Sequence, residues 1–243
     1  MPPIDSASSV RDRLQRGEPV VGVWSGLGGV EAAELLASCD PDYVVADLQH
    51  GAVGEGELPG WLAAVRACGV AGFARVRSSS FPDIGRALDL GAEAVFVPNV
   101  RGVDHAAEVV SYCRYGPVGK RSIGRLLGGS DSPLCFLVLE TAQALEQLDG
   151  ILSLEGIDGL YVGPRDLALS LGKAGSDQEE EMSRIIKSIV DRCLASRMPV
   201  GVHTNDGTRA AYYRRAGATI VNAAMDRAVL RTALLHDLEI ART

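Results

Sequence analysis

The chain has 243 residues, 47% of them hydrophobic, with a formal net charge of −7 and a pI near 5.2. That is enough to bury one large core, and the acidic balance, without a basic stripe or polybasic segment, argues against a nucleic-acid or anionic-membrane surface and for small-molecule partners. No apolar run approaches the roughly 18 residues of a membrane span, and Met1-Pro-Pro-Ile-Asp leads into a polar stretch rather than a signal-peptide core. The five cysteines, Cys39, Cys68, Cys113, Cys135 and Cys193, lack C-x-x-C spacing and lie in apolar contexts, so reduced, buried thiols in a cytoplasmic protein are expected.

In chain order, short β-branched runs occur at 19–25, 43–48, 71–76, 94–99, 135–140, 159–163, 199–204 and 219–224. Between them lie amphipathic stretches such as Val30 to Ser38, Phe81 to Leu90 and Glu180 to Met198, with apolar residues at i, i+3, i+4 and i+7. Such alternation predicts parallel strands joined by right-handed crossovers, and the near-continuous apolar strands predict burial on both faces. Eight βα units in about 250 residues fit a (β/α)8 TIM barrel better than a doubly wound sheet, here as one α/β domain over 1–243. Gly26-Leu27-Gly28-Gly29 after the first strand is a broken G-x-G-x-x-G, because Glu31 stands where the last glycine belongs. It reads as a tight βα loop close to substrate.

In a barrel the strand ends open on one face, so Asp47, His50, Arg75, Glu140 and Asp166 are expected to converge from strands 2, 3, 5 and 6. Glu140 and Asp166 form a hard, oxygen-rich and incomplete coordination sphere suited to a divalent cation. Arg75 can stabilise negative charge on a substrate oxygen, and His50 is an acid/base near neutral pH. Asp47 is expected to bind one imidazole nitrogen of His50 and fix its tautomer. Together these suit enolate chemistry. A Schiff-base route is disfavoured, since Lys120, Lys173 and Lys187 all lie away from strand C-termini; nor is there a G-x-S-x-G or Cys/His arrangement. His203 at the end of strand 7 and Asn99 at the end of strand 4 are further candidates for the pocket wall.

At these positions the chain resembles the HpcH/HpaI aldolase/citrate lyase family, in particular its metal-dependent class II pyruvate aldolases. The likeness runs from about Val20 to Leu235. It is carried by Gly22-Val-Trp-Ser, Asp47-Leu-Gln-His, Arg75 with Leu88-Asp-Leu-Gly-Ala, Val97-Pro98, Glu140-Thr141 and Gly156 through Leu167. The resemblance implies a (β/α)8 barrel, a homo-oligomer (trimer or hexamer) with the last helix exchanged between neighbours, and Mg²⁺, Mn²⁺ or Co²⁺ held by Glu140 and Asp166. It implies that Arg75 contacts the keto-acid oxygens, that His50 with Asp47 governs proton transfer, and that the backbone at Gly163 and Pro164 receives the pyruvate carboxylate. The implied reaction is reversible aldol cleavage of a 4-hydroxy-2-oxo acid to pyruvate and an aldehyde through a stabilised pyruvate enolate.

Departures border the site. Gln49 stands where members often have Glu, Val138 where they have Gln, and Arg165 where they have a small or neutral residue; the segment from Arg125 to Pro133 is short. Arg165 is therefore a candidate for binding a second substrate carboxylate. Oxaloacetate decarboxylation, acyl-CoA cleavage on the same fold, and a non-catalytic keto-acid-binding barrel are the competing expectations.

Overall fold

The computed structural model describes residues 6–124, 129–175 and 178–243; part of the short segment after Gly124 lies outside them. Eight parallel strands close into a barrel in sequence order, β1-β2-β3-β4-β5-β6-β7-β8, with β8 returning to β1. The strands are β1 Val20–Ser25, β2 Tyr43–Asp47, β3 Ala71–Arg75, β4 Ala94–Val97, β5 Leu134–Leu139, β6 Gly159–Val162, β7 Val200–Val202 and β8 Ile220–Met225. Every expected strand is present, most trimmed by a residue or two at their ends, and the (β/α)8 architecture is the observed one.

The outer layer consists of α2 Val30–Ala37, α3 Leu58–Ala67, α4 Phe81–Asp89, α5 Val103–Tyr112, the short pair α6 Ala142–Glu146 and α7 Leu148–Leu152, α8 Pro164–Ser170, α9 Glu179–Ala195, α10 Gly207–Arg215 and α11 Asp226–Ala241. A further helix, α1 Ser6–Gln15, precedes the barrel. Several starts have a local cause. Ser80, Thr141 and Asp206 each accept a backbone N–H of the first turn through their side chains, a cap that contributes about 1 kcal/mol.

Side-chain alternation along the strands divides the core in two. Val44, Ala46, Ala74, Val95, Val97, Leu137, Leu139, Leu160 and Val162 face outward into the layer beneath the helices. Trp24, Tyr43, Val45, Phe73, Phe96, Phe136, Val138 and Tyr161 face inward and fill the barrel. Ala7, Val10 and Leu14 of α1 join this inner cluster and plug the end opposite the site. The interior is largely aromatic: Tyr43 stacks on Phe73 at 5.2 Å and Trp24 on Tyr161 at 5.4 Å, with Phe96 and Phe136 between.

The same parity positions the site. Residues 43, 45 and 47 of β2 share a side, as do 71, 73 and 75 of β3, and 136 and 138 of β5 with 140 just beyond it. Asp47, Arg75 and Glu140 are therefore the last inward positions of their strands, directly above the aromatic fill. Parallel pairing sets Asp47 beside Arg75 in register.

Candidate active site

A cleft of about 480 Å³ opens on the face formed by the strand C-termini. Its lining includes His50, Arg75, Glu140, Gly163, Pro164, Arg165, Asp166 and His203; of the residues singled out from the sequence, Asp47 and the wall candidate Asn99 are not in it. Asp47 lies just outside it. It is fully buried behind the wall, and it acts through another residue.

The expected Asp47–His50 ring pairing is not what the fold builds. Asp47 Oδ1 accepts Arg75 Nε at 2.8 Å and Oδ2 accepts Arg75 Nη2 at 2.5 Å, while Oδ1 also takes the backbone N–H groups of Gln49 and His50. The in-register neighbour captures the carboxylate before the imidazole can, because a two-bond pair to a guanidinium is stronger than one bond to a neutral ring. Burial alone would raise the Asp47 pKa, but the Arg75 bonds and charge, with the two backbone donors, hold the carboxyl below its ordinary value. The guanidinium also lies 4.9 Å over the Trp24 ring. Arg75 is thus fixed from two sides, and Asp47 is its positioning residue.

Glu140 is the electrostatic opposite. It is 4% exposed, and Oε1 accepts the backbone N–H of Asn99 at 2.7 Å. Asn99 reaches it with a left-handed backbone, φ 57°. Its contribution is this main-chain donor, and its side chain is not part of the wall. A β-carbon at position 163 would lie 2.9 Å from Glu140 Oε2, so glycine there is what allows the carboxylate to lie against β6. Burial raises the Glu140 pKa; the Asn99 N–H opposes this, the charge of Asp166 reinforces it, Arg75 opposes it, and the net shift is upward. Asp166 sits exposed in the first turn of α8, facing the same cleft.

His203 lies in the wall, as its strand-end position suggested. Its ring meets Trp24 edge-on at 4.8 Å, and Nδ1 is 3.3 Å from the Tyr161 hydroxyl. Burial, then the charge of Arg75, brings its pKa down to about 4 against the pull of Asp47, so it is neutral at pH 7. Lys120 is elsewhere, paired with Glu108 at 3.5 Å.

Arg209, Tyr213, Met225 and Arg227 complete the β7–β8 side of the cleft and were not singled out from the sequence. Beneath them, buried Asp226 accepts Ser25 Oγ at 2.9 Å and the N–H groups of Gly26 at 2.8 Å, Leu27 at 3.0 Å and Arg227 at 2.6 Å. It fastens the first βα loop to the start of α11. The glycines of that loop serve this close packing and do not themselves line the cleft.

A (β/α)8 barrel with a buried glutamate, an exposed aspartate beside it and a clamped arginine at its strand ends has the groups of an enzyme class that handles carbonyl compounds through stabilised oxyanions. Residues 21–233 match the HpcH/HpaI aldolase/citrate lyase family, and the chain belongs to that family. It is 33% identical to a hydroxypyruvate/pyruvate aldolase of Rhizorhabdus wittichii, over 97% of this chain and 99% of the relative. It is 29% identical to a 4-hydroxy-2-oxo-heptane-1,7-dioate aldolase of Salmonella dublin, over 92% and 90%. A family protein of Burkholderia cenocepacia, known by crystal structure, superposes with a TM-score of 0.85 at 26% identity, covering 97% of this chain and 99% of that one.

Proposed function

We propose that the protein is a divalent-metal-dependent carbon–carbon lyase that reversibly cleaves a 4-hydroxy-2-oxo acid to pyruvate and an aldehyde. The observation that carries this reading is Glu140: a buried carboxylate with a raised pKa, one oxygen held by a single backbone N–H and a second carboxylate, Asp166, beside it. Two hard oxygen donors that repel each other fit a cation such as Mg²⁺, Mn²⁺ or Co²⁺, whose charge offsets both the burial and the repulsion. Among the described residues no cluster of three or more His, Cys, Asp or Glu forms, so substrate oxygens and water would complete the sphere. When bound, the cation supplies Lewis-acid stabilisation of developing negative charge.

The chain's own groups supply the rest. Arg75, held by Asp47, presents donors to the 2-oxo oxygen, where charge develops as the C3–C4 bond breaks. The bond's electron pair becomes the pyruvate enolate, and the C4 hydroxyl proton must leave as the aldehyde forms. His50, at the rim of the cleft, is placed to carry that proton and to return one to C3. The Gly163 N–H is taken by the Leu139 carbonyl and Pro164 has none, so the donors this edge offers the substrate carboxylate are the N–H groups of Arg165 and Asp166 in the first turn of α8, with the Arg165 side chain alongside. Trp24, Val138 and Tyr161 form a floor that limits water.

The test is pyruvate release from a racemic 4-hydroxy-2-oxo acid by Mn²⁺- or Mg²⁺-replete protein, with a chelated control. Cleavage that needs the metal supports the reading; none under any metal overturns it. His50→Ala is expected to slow proton exchange into pyruvate by about 10²- to 10⁴-fold while keeping metal affinity; equal loss of metal would contradict its role.

The same reading includes a homo-oligomer, trimer or hexamer. It is supported by α11, where Val229, Leu230, Leu234, Leu235, Leu238 and Ile240 are 47–59% exposed and only Asp226 is buried. An apolar stripe of this length on one helix calls for a neighbouring barrel. Light scattering of the intact chain tests it. All five cysteines are free, which supports a reducing, cytoplasmic setting; Cys113, Cys135 and Cys193 are buried as expected, whereas Cys39 and Cys68, just past the ends of α2 and α3, are exposed. No helix among the described residues is long and apolar enough to cross a membrane.

A further inference from the structure

The cleft carries more positive charge than the chemistry at its centre uses. Of the four arginines that line it, Arg75 pairs with Asp47 and Arg209 with Glu179 at 2.7 Å. Among the described residues, Arg165 and Arg227 meet no carboxylate at ion-pair distance. Arg165 adjoins Asp166 after β6; Arg227 follows β8, and its guanidinium reaches over the β1 loop to the His50 carbonyl after β2, across the mouth from β6.

Arg227 is placed with some care. Asp226 clamps the first turn of α11 to the loop after β1, and the Arg227 side chain crosses that loop above Gly26. A β-carbon at position 26 would lie 2.5 Å from Arg227 Nε, so the glycine clears its path. The guanidinium ends at the cleft with one long contact to the His50 carbonyl, 3.3 Å, and one to Met225 Sδ, 3.8 Å. Most of its five donors remain available.

Barrel order turns this into a direction. Glu140 and Asp166 follow β5 and β6; Arg227 starts only two strands from β6, after β8, but its guanidinium passes over the β1 loop to the backbone of His50 after β2, and β1 and β2 lie opposite β5 and β6 in the eight-strand order. A substrate whose 2-oxo acid end is held at β5–β6 extends its C4 end past His50 toward Arg227. We propose that Arg227 is a specificity-determining residue that binds a carboxylate on the aldehyde half of the substrate. The preferred substrates are then 4-hydroxy-2-oxo dicarboxylates, and the aldehyde product is itself an acid. This rests on the lyase reading and deepens it. Arg227 exchanges no proton; it holds the distal carboxylate by charge-assisted hydrogen bonds.

The test separates binding from turnover. 2-Oxo dicarboxylates of increasing length from five carbons upward, each against the 2-oxo monocarboxylate of equal carbon number, lack both the C4 hydroxyl and a carboxyl β to the oxo group and so are neither cleaved nor decarboxylated. Calorimetric titration into the Mg²⁺-replete enzyme should show the best diacid binding about tenfold or more tighter than its monoacid, as one charge-assisted contact provides. Arg227→Ala should remove that difference. Gly26→Ala, which keeps the charge but displaces the guanidinium, should shrink it, and Arg227→Lys should retain part. Equal binding of diacid and monoacid to the wild type, or a difference that survives both alanine variants, overturns the proposal. If the wild type exchanges pyruvate methyl protons yet does not discriminate, only this proposal falls. If it neither exchanges protons nor binds either acid class, the lyase reading fails and takes the proposal with it.

Discussion

Asp47 and Glu140 occupy equivalent places on the barrel rim, each the last inward residue of its strand and each nearly removed from solvent, yet their electrostatics are opposed. At β2–β3 the protein supplies the counter-charge: Arg75 neutralises Asp47 within the fold, and the carboxyl is pulled below its ordinary pKa. At β5–β6 no cation pairs with Glu140: burial, reinforced by the second carboxylate Asp166, raises its pKa. The first arrangement is complete as folded and serves to aim a cation. The second is unfinished, and what finishes it is a positive charge from outside.

That contrast is most severely tested by removing the unfinished carboxylate. Glu140→Gln should lower Mn²⁺ affinity by at least the roughly 100-fold that loss of a supporting group alone can cause. The metal-free variant should be as stable as wild type or more so at neutral pH, since a buried, poorly compensated charge has gone. A drop in metal-free stability would show Glu140 to be structurally paired like Asp47.

Asp47→Ala should do the reverse. It leaves Arg75 buried without its partner, which costs about 3 kcal/mol and lowers Tm by about 10 °C in a domain of this size, with metal affinity little changed. The double variant with Arg75→Met should recover much of the stability. If thermal scans show no such recovery, the pair is not the unit described here.

The two carboxylates also pull in opposite directions with pH. Asp47 binds protons less readily folded than unfolded, so its contribution is present above the ordinary carboxylate range and lost as pH falls through its lowered value. Glu140 binds protons more readily folded, so in the metal-free protein stability falls as pH rises through its titration.

A smaller effect comes from His203. Its folded pKa, about 4, lies below the ordinary 6.5, so between these values the unfolded chain takes up the proton first and stability declines as pH falls. His203→Gln should flatten the Tm–pH curve in that window. An unchanged slope would mean that the imidazole is not the group responsible.

Much of this was legible in the sequence because a parallel barrel turns strand ends into neighbours. Eight apolar runs set the topology, and the places of Asp47, Arg75 and Glu140 at the ends of those runs set the rim. What failed was partner choice. Asp47 and His50 are close in sequence, but strand register sets Asp47 beside Arg75, 28 residues on. Arg227 and Asp226 were missed because strand 8 was ended at residue 224. Carried to Met225, the strand-end rule that found Asp47 and Glu140 would have pointed to them. The plug α1 was missed for a different reason. Ala7, Val10 and Leu14 keep helical spacing, but the polar residues between them hide it. The exposed stripe of α11 was visible as a pattern, whereas its lack of a surface to pack on is a property of the folded barrel.

The most direct measurement is proton exchange into the pyruvate methyl group, followed by NMR in D₂O, with Mn²⁺-loaded or Mg²⁺-loaded, chelated and Glu140→Gln protein. Enolisation should require both the divalent ion and Glu140, with chelated enzyme and variant both near background. Exchange that persists undiminished after chelation, or in Glu140→Gln at saturating metal, would contradict the assignment of the unfinished carboxylate as the metal's anchor.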